Sequence, residues 1–157
     1  MKTKIIFSLL FLATLIGCKY EDGPLISFRT VERRLQGEFQ AEEFKIDGQD
    51  ALQKWKDSIC NDYLMMHWSD AGIHSMISIV STYGSNGGKY IISDDRSSIQ
   101  FEMMGKTNSY PGIGPFGDIA VSNWRILKLS NKKLWLETDF EGRNYLLKLK
   151  KIKDYSK

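Results

Sequence analysis

The sequence predicts an all-β domain of eight short antiparallel strands closed into an up-and-down barrel. Three observations lead to it. Apolar and polar residues alternate with a period of two, turn-forming residues interrupt the segments at short intervals, and a single stretch shows helical spacing. Eight antiparallel strands can close into a barrel that leaves no exposed edge. The same spacing also permits a sandwich of two sheets.

The first predicted strand begins at residue 35, where residues 35–41 alternate between apolar or small and polar side chains. Phe44 and Ile46 fall on the opposite parity, and a slip of one residue would turn them to the wrong face. We therefore predict a β-bulge at residues 42–43. The Asp-Gly pair at 47–48 then ends the strand.

Residues 50–59 form the one helical candidate. Leu52, Trp55 and Ile59 are spaced by three and four residues, which places them on one face. Asp50 is a good N-cap. The segment predicts a helix of one to two and a half turns that packs against the sheet.

Seven further strands follow, joined by turns rich in Gly, Asn, Asp and Ser. The predicted ranges are 62–68, 74–83, 89–93, 99–103, 121–129, 134–140 and 144–150. Residues 85–88, Ser-Asn-Gly-Gly, predict a tight turn because Asn and Gly tolerate positive φ. The Pro- and Gly-rich segment 111–117 predicts a loop that is either a lid at the barrel mouth or a plain surface loop.

Four segments of the chain, most specifically residues 124–137, resemble the lipocalin-like lipoproteins of Bacteroidota. The other three are residues 26–29, 35–39 and 46–50. The resemblance implies an eight-stranded lipocalin-like barrel with one short helix after the first strand, and it implies no established activity. Phe39 stands where true lipocalins carry a tryptophan, which is a departure from the pattern.

The N-terminus has the layout of a secretory signal: two lysines, an apolar run at residues 5–16, and then Gly17 and Cys18. The run of about 12 residues is too short for a bilayer core that needs roughly 20. A cysteine after a small residue resembles the lipobox of bacterial lipoproteins, which implies cleavage before Cys18 and acylation of its thiol. An ordinary signal peptide is the alternative. The predicted organisation is a signal peptide (1–17), a lipidated cysteine with its tether and lead-in (18–34), and the barrel (35–153).

The residues after the cysteine bear on location. Lys19 is followed closely by Glu21 and Asp22, which resembles a surface-export signal of some Bacteroidota lipoproteins. We therefore expect an outer-membrane lipoprotein, with the cell surface favoured over the periplasmic face. We predict that the acyl chains on Cys18 anchor the protein in the membrane.

Charge and cysteine content exclude some function classes. Without residues 1–17 the chain keeps 20 basic and 19 acidic side chains, which argues against a nucleic-acid partner. The lysines near the C-terminus are interpreted as a solvated strand face, with a contact to anionic headgroups or an anionic glycan as the alternative. Cys60 is left without a second cysteine once Cys18 is acylated, so we expect a buried, inert thiol.

The sequence shows no catalytic constellation and no metal-ligand spacing. A Gly-x-Ser-x-Gly elbow is absent, and the adjacent acidic pairs would point to opposite faces of a strand. His67 and His74 are the only histidines, without a supporting ligand pattern. We expect no enzyme, no cofactor and no metal.

The favoured function is a non-catalytic binding module for a small apolar or glycan ligand. Parity arguments give five candidate ligand-binding residues that point inward: Phe39, Ile99, Phe101, Leu127 and Leu136. The alternative is a filled barrel that acts as a structural or interaction protein and engages another envelope protein.

Overall fold

The computed structural model describes residues 29–58, 65–70, 75–81, 84–106, 114–117 and 120–156. The predicted signal peptide, Cys18, Cys60 and His74 lie outside the described residues. The boundaries proposed at residues 17 and 34 therefore stay predictions.

The described chain folds into one antiparallel sheet of nine strands. The strands are β1 (Gly37–Ile46), β2 (Gln49–Asp50), β3 (Met65–Asp70), β4 (Ser75–Ser81), β5 (Gly84–Ile92), β6 (Ser98–Lys106), β7 (Val121–Leu129), β8 (Lys133–Phe140) and β9 (Arg143–Asp154). β2 is a two-residue strand that pairs only with the end of β1. The other eight are the strands that the sequence predicts, in the same order.

The sheet closes on itself through β1. On one side β1 pairs with β3, from Gly37↔Trp68 to Gln40↔Met65. On the other side it pairs with β9 from its first residue to its last, which is Ile46↔Tyr145. This second pairing joins the first and last strands, so the molecule is an eight-stranded up-and-down barrel and not a sandwich.

The predicted bulge in β1 is confirmed. The register against β9 shifts between Ala41 and Glu43. Because one residue is added there, Ala41 and Phe44 are both buried while Glu42 is exposed. Ile46 stays buried as well, so one strand presents both parities to the core.

Two short helices flank β1. α1 spans Val31–Leu35 and is capped by the Thr30 hydroxyl, which accepts from the backbone N–H of Arg33. The predicted start of the first strand at residue 35 is therefore wrong, since Leu35 ends this helix. α2 spans Leu52–Ser58, and the Asp50 carboxylate caps it as predicted, accepting from the Leu52 N–H at 3.0 Å.

The predicted tight turn at residues 85–88 is wrong. These residues lie inside β5, where they pair with β4 from Val80↔Ser85 to Ile77↔Gly88. Gly88 has a packing role, because a Cβ there would collide with the backbone carbonyl of Glu102 on β6. Glycine in a strand often marks such a close approach of two backbones, which composition alone does not separate from a turn.

The described core lies inside the barrel. The buried apolar side chains form one cluster to which every strand with described side chains except β2 contributes, together with α1, α2 and a 3-10 turn at Gly114–Phe116. α1 lies at the end of the barrel where β1 begins, and we name this the α1 end. α2 and the 3-10 turn lie at the opposite end, the α2 end. Neither of the two described helices is long and apolar enough to cross a membrane.

Candidate functional site

Four of the five residues predicted to point inward belong to the buried core. Phe39, Ile99, Phe101 and Leu136 are each fully buried. They contact other apolar side chains of the same cluster. Their inward position is as predicted, and their part in ligand binding stays a prediction.

Leu127 is the exception. The register between β7 and β8 shifts between Ile126 and Lys128, so Leu127 is the extra residue of a β-bulge. It is half-buried and lies outside the core cluster, while Ile126 and Leu129 on either side of it are buried. The inward position predicted for Leu127 is therefore wrong, because simple alternation does not account for a bulge.

Phe116 is the central ring of the interior. It stacks on Trp55 with ring centroids 5.1 Å apart and on Trp124 with centroids 5.2 Å apart. Phe101 and Phe44 extend the group, through Trp124 and Trp55 respectively. We name these five residues the aromatic cluster. All five side chains are fully buried.

Two rings of the aromatic cluster do not come from the barrel wall. Trp55 is carried by α2, and Ala51, the residue directly before that helix, donates its backbone N–H to the Phe44 carbonyl of β1 at 2.8 Å. Phe116 is carried by the 3-10 turn between β6 and β7. Neither residue is among the five predicted ligand-binding residues, although Phe116 is the one large aromatic side chain in the Pro- and Gly-rich segment 111–117.

The 3-10 turn has specific supports. Gly114 has φ of +54°, and a Cβ there would lie 2.6 Å from the Tyr145 hydroxyl oxygen, so only glycine fits without strain. The Ser122 hydroxyl accepts from the Trp124 indole N–H at 2.9 Å and donates to the Pro115 carbonyl at 3.4 Å. These contacts set the position from which Phe116 enters the core. Segment 111–117 is predicted to be either a lid at the barrel mouth or a plain surface loop. Its described part, residues 114–117, covers the α2 end of the barrel.

The α1 end is closed by charged side chains. Arg34 is buried and its Nη1 donates to the Leu129 carbonyl at 2.8 Å. Lys151 lies with its ammonium 5.2 Å from the centroid of the Phe39 ring and donates to the Gln36 carbonyl at 2.8 Å. Burial lowers the pKa of Lys151, although Asp154 at 3.6 Å acts in the opposite direction.

The outer wall has a second notable group of residues. Trp135 on β8 is half-buried, with the ammonium groups of Lys128 and Lys148 at 4.3 Å and 4.7 Å from its ring centroid. Further along the same face lies an open crevice of about 420 Å³. Seven residues with polar or charged side chains line it: Ser97, Ser98, Asn123, Arg125, Glu137, Thr138 and Asp139.

The described residues hold no group of three or more His, Cys, Asp or Glu side chains that could bind a metal ion. His67 lies in β3, where its backbone pairs with Glu38 of β1 on one side and with Ser78 of β4 on the other. The described residues thus offer two candidate binding sites: the apolar interior, and the outer face with its basic and polar side chains.

Comparisons with known proteins give structural likenesses only. No family model and no curated protein sequence matches the chain. A lipocalin-like protein from Bacteroides uniformis has a similar structure, with a TM-score of 0.49 and 13% identity over 76% of this chain and 99% of that one. Fatty-acid-binding protein 1 of Echinococcus granulosus has a TM-score of 0.43 and 10% identity over 76% of this chain and 98% of that one.

Proposed function

We propose that this protein is a membrane-anchored, non-catalytic binding module of the bacterial envelope that takes a small apolar ligand into its barrel. Acylated Cys18 is the anchor, the outer membrane is the location, and the cell surface is favoured over the periplasmic face. The fold supports the binding part of this proposal, since eight-stranded barrels are wide enough for one small ligand.

One observation carries the proposal. The strands do not fill the barrel with their own side chains alone, because Trp55 and Phe116 enter from α2 and from the 3-10 turn. Moving these two segments outward would leave an apolar space lined by Phe44, Phe101 and Trp124. Aromatic and aliphatic linings of this kind are typical of small-molecule sites.

A second candidate function is a filled barrel that engages another envelope protein through its surface. The complete burial of the aromatic cluster favours it, because these five side chains contact one another and are closed off from solvent. Both candidates are non-catalytic, and they differ in whether the α2 end opens.

Native mass spectrometry of the full-length protein tests both. The protein is released from its host envelope in polymer nanodiscs, so that no detergent enters the barrel. A discrete added mass that leaves on denaturation is expected for a ligand carrier. A mass that survives denaturation and is lost in Cys18→Ser is expected for the acyl anchor.

Substitutions at the α2 end sharpen the result. Phe116→Trp adds volume inside the barrel and should lower the fraction of protein that carries the ligand. Met104→Trp is the matched control, because Met104 is 64% exposed. Protein mass alone in every sample, together with a stoichiometric envelope protein recovered by cross-linking, would support the filled barrel and reject the carrier.

A further inference from the structure

We propose that the outer face of β7, β8 and β9 carries a separate binding site for an acidic glycan. The site consists of a basic face, defined as Lys128, Lys133, Trp135, Lys148 and Lys150, and of the polar crevice beside it. It lies on the opposite side of the barrel wall from the aromatic cluster, so it goes beyond the interior site proposed above and does not depend on it.

The basic face contains a charge arrangement that costs stability. Lys133 and Lys150 are directly opposite each other in the β8–β9 register, and both are exposed. Like charges that face each other across strands are destabilising. The carboxylate nearest Lys150 among the described residues is Glu42 at 3.9 Å, and none lies within 4 Å of Lys133 in that part of the chain. An anionic group bound between the two ammonium groups would remove the repulsion.

Trp135 organises two further lysines without neutralising them. It pairs with Lys128 on one side and Lys148 on the other, and both ammonium groups lie within 5 Å of its ring centroid. An aromatic face attracts a cation through its quadrupole but carries no net charge. Lys148 also pairs with Glu43 at 3.0 Å, whereas no described carboxylate lies within 4 Å of Lys128. The ring thus holds Lys128 in place with its full charge available.

The crevice continues the same row of side chains. Glu137 and Asp139 follow Trp135 on the outward positions of β8, and Arg125 reaches Glu137 at 2.5 Å. Asn123 lies beside them on β7. Carboxylate, amide and guanidinium groups together offer both acceptors and donors, and the planar groups can engage adjacent hydroxyls in pairs. The row from Lys133 to Asp139 spans roughly 20 Å at strand spacing, long enough for an extended oligosaccharide.

The mixture of charges selects a glycan over a lipid headgroup. Anionic headgroups would be attracted by the lysines but repelled by Glu137 and Asp139 at the same surface. An acidic oligosaccharide satisfies both halves, because its carboxylate or sulfate groups can bind the lysines while its hydroxyls bind in the crevice. Trp135 lies at the junction of the two halves.

The test is binding of the full-length protein, held in phosphatidylcholine nanodiscs, to an array of immobilised oligosaccharides. The array contains members with uronic acid, sulfated members and neutral members. We expect binding to acidic members only, with affinity that falls as salt is raised. Lys133→Gln and Lys128→Gln should each weaken it by about tenfold, the loss of one charge-assisted contact.

A matched control separates binding from folding. Lys133→Gln removes the repulsion with Lys150, so its melting temperature should be unchanged or higher while binding falls. Lys89→Gln removes a lysine of another part of the wall, paired with Glu102 at 2.6 Å, and should leave binding unchanged. Equal losses in Lys89→Gln and Lys133→Gln would overturn the proposal. The absence of binding to every acidic member of the array would overturn it as well. If phosphatidylglycerol nanodiscs then protected the lysines of the basic face from acetylation, the face would be assigned to lipid headgroups.

Discussion

The two ends of the barrel are closed by different chemistry. At the α1 end, Arg34 and Lys151 donate hydrogen bonds from charged groups to the backbone carbonyls of Leu129 and Gln36. At the α2 end, Trp55 and Phe116 close the barrel mainly through ring contacts. A buried hydrogen bond from a charged donor has a fixed geometry and is costly to break. Ring contacts can be replaced by the apolar surface of another molecule, which is why we place the opening at the α2 end.

The largest effect is expected at the α2 end. Phe116→Ala removes the ring that joins Trp55 to Trp124 and leaves a cavity, so the free energy of unfolding should fall by about 3–5 kcal/mol. Urea denaturation measures this change. Phe116→Leu keeps most of the apolar volume and should cost clearly less. Equal stability of Phe116→Ala and wild type would show that the ring does not support the fold.

At the α1 end, Arg34→Ala should lower the free energy of unfolding by about 1–3 kcal/mol, because it leaves the buried Leu129 carbonyl without its donor. The same denaturation experiment applies. An apolar small molecule that fills a cavity should restore stability to Phe116→Ala and not to Arg34→Ala. If such a molecule restored the free energy of unfolding of both variants, the two ends would not differ in the way described.

The helix caps allow a smaller comparison with one matched substitution at each end. Thr30→Ala and Asp50→Ala each remove the side-chain acceptor at the start of α1 and α2. Each should cost about 1 kcal/mol of unfolding free energy. Asp50→Asn keeps an acceptor and should be nearly neutral. If the α2 end opens for a ligand, Asp50→Ala should speed hydrogen exchange in α2, whereas Thr30→Ala should leave exchange in α2 unchanged.

The smallest expected effect is a dependence on acid. Ion pairing with Lys45 and then Lys148 lowers the pKa of Glu43 below its usual 4.5, and hydrogen bonds from Ser156 and Arg29 lower that of Asp154 strongly. A lowered carboxyl pKa stabilises the folded state above the unfolded pKa, and this contribution is lost as pH falls through the folded pKa. Urea midpoints should therefore decline below about pH 4.5. Glu43→Gln removes one of these carboxyl groups and should flatten part of the decline in the urea midpoint.

Much of the barrel is readable from local patterns. The bulge in β1 follows from the parity of Phe44 and Ile46, and the cap of α2 follows from Asp50. These features depend on residues close in sequence, so a single chain is enough to predict them. The strand order follows from the short connections.

The errors occur where distant contacts decide. Gly88 looks like a turn residue until the backbone of β6 is placed against it, and Leu127 looks inward until the bulge opposite β8 is known. α1 has five residues, too few to show a helical period. Phe116 could not be placed from its loop, because its position depends on Trp55 and Trp124 from two other parts of the chain.

The aromatic cluster has a spectroscopic consequence. Trp55 and Trp124 both contact Phe116 and are both shielded from water, so their indole emission senses whether the α2 end is closed. Opening would hydrate both rings, shift their emission to longer wavelength and expose them to soluble quenchers. The protein therefore carries its own optical reporter of closure, and stopped-flow fluorescence can time the opening without any attached dye.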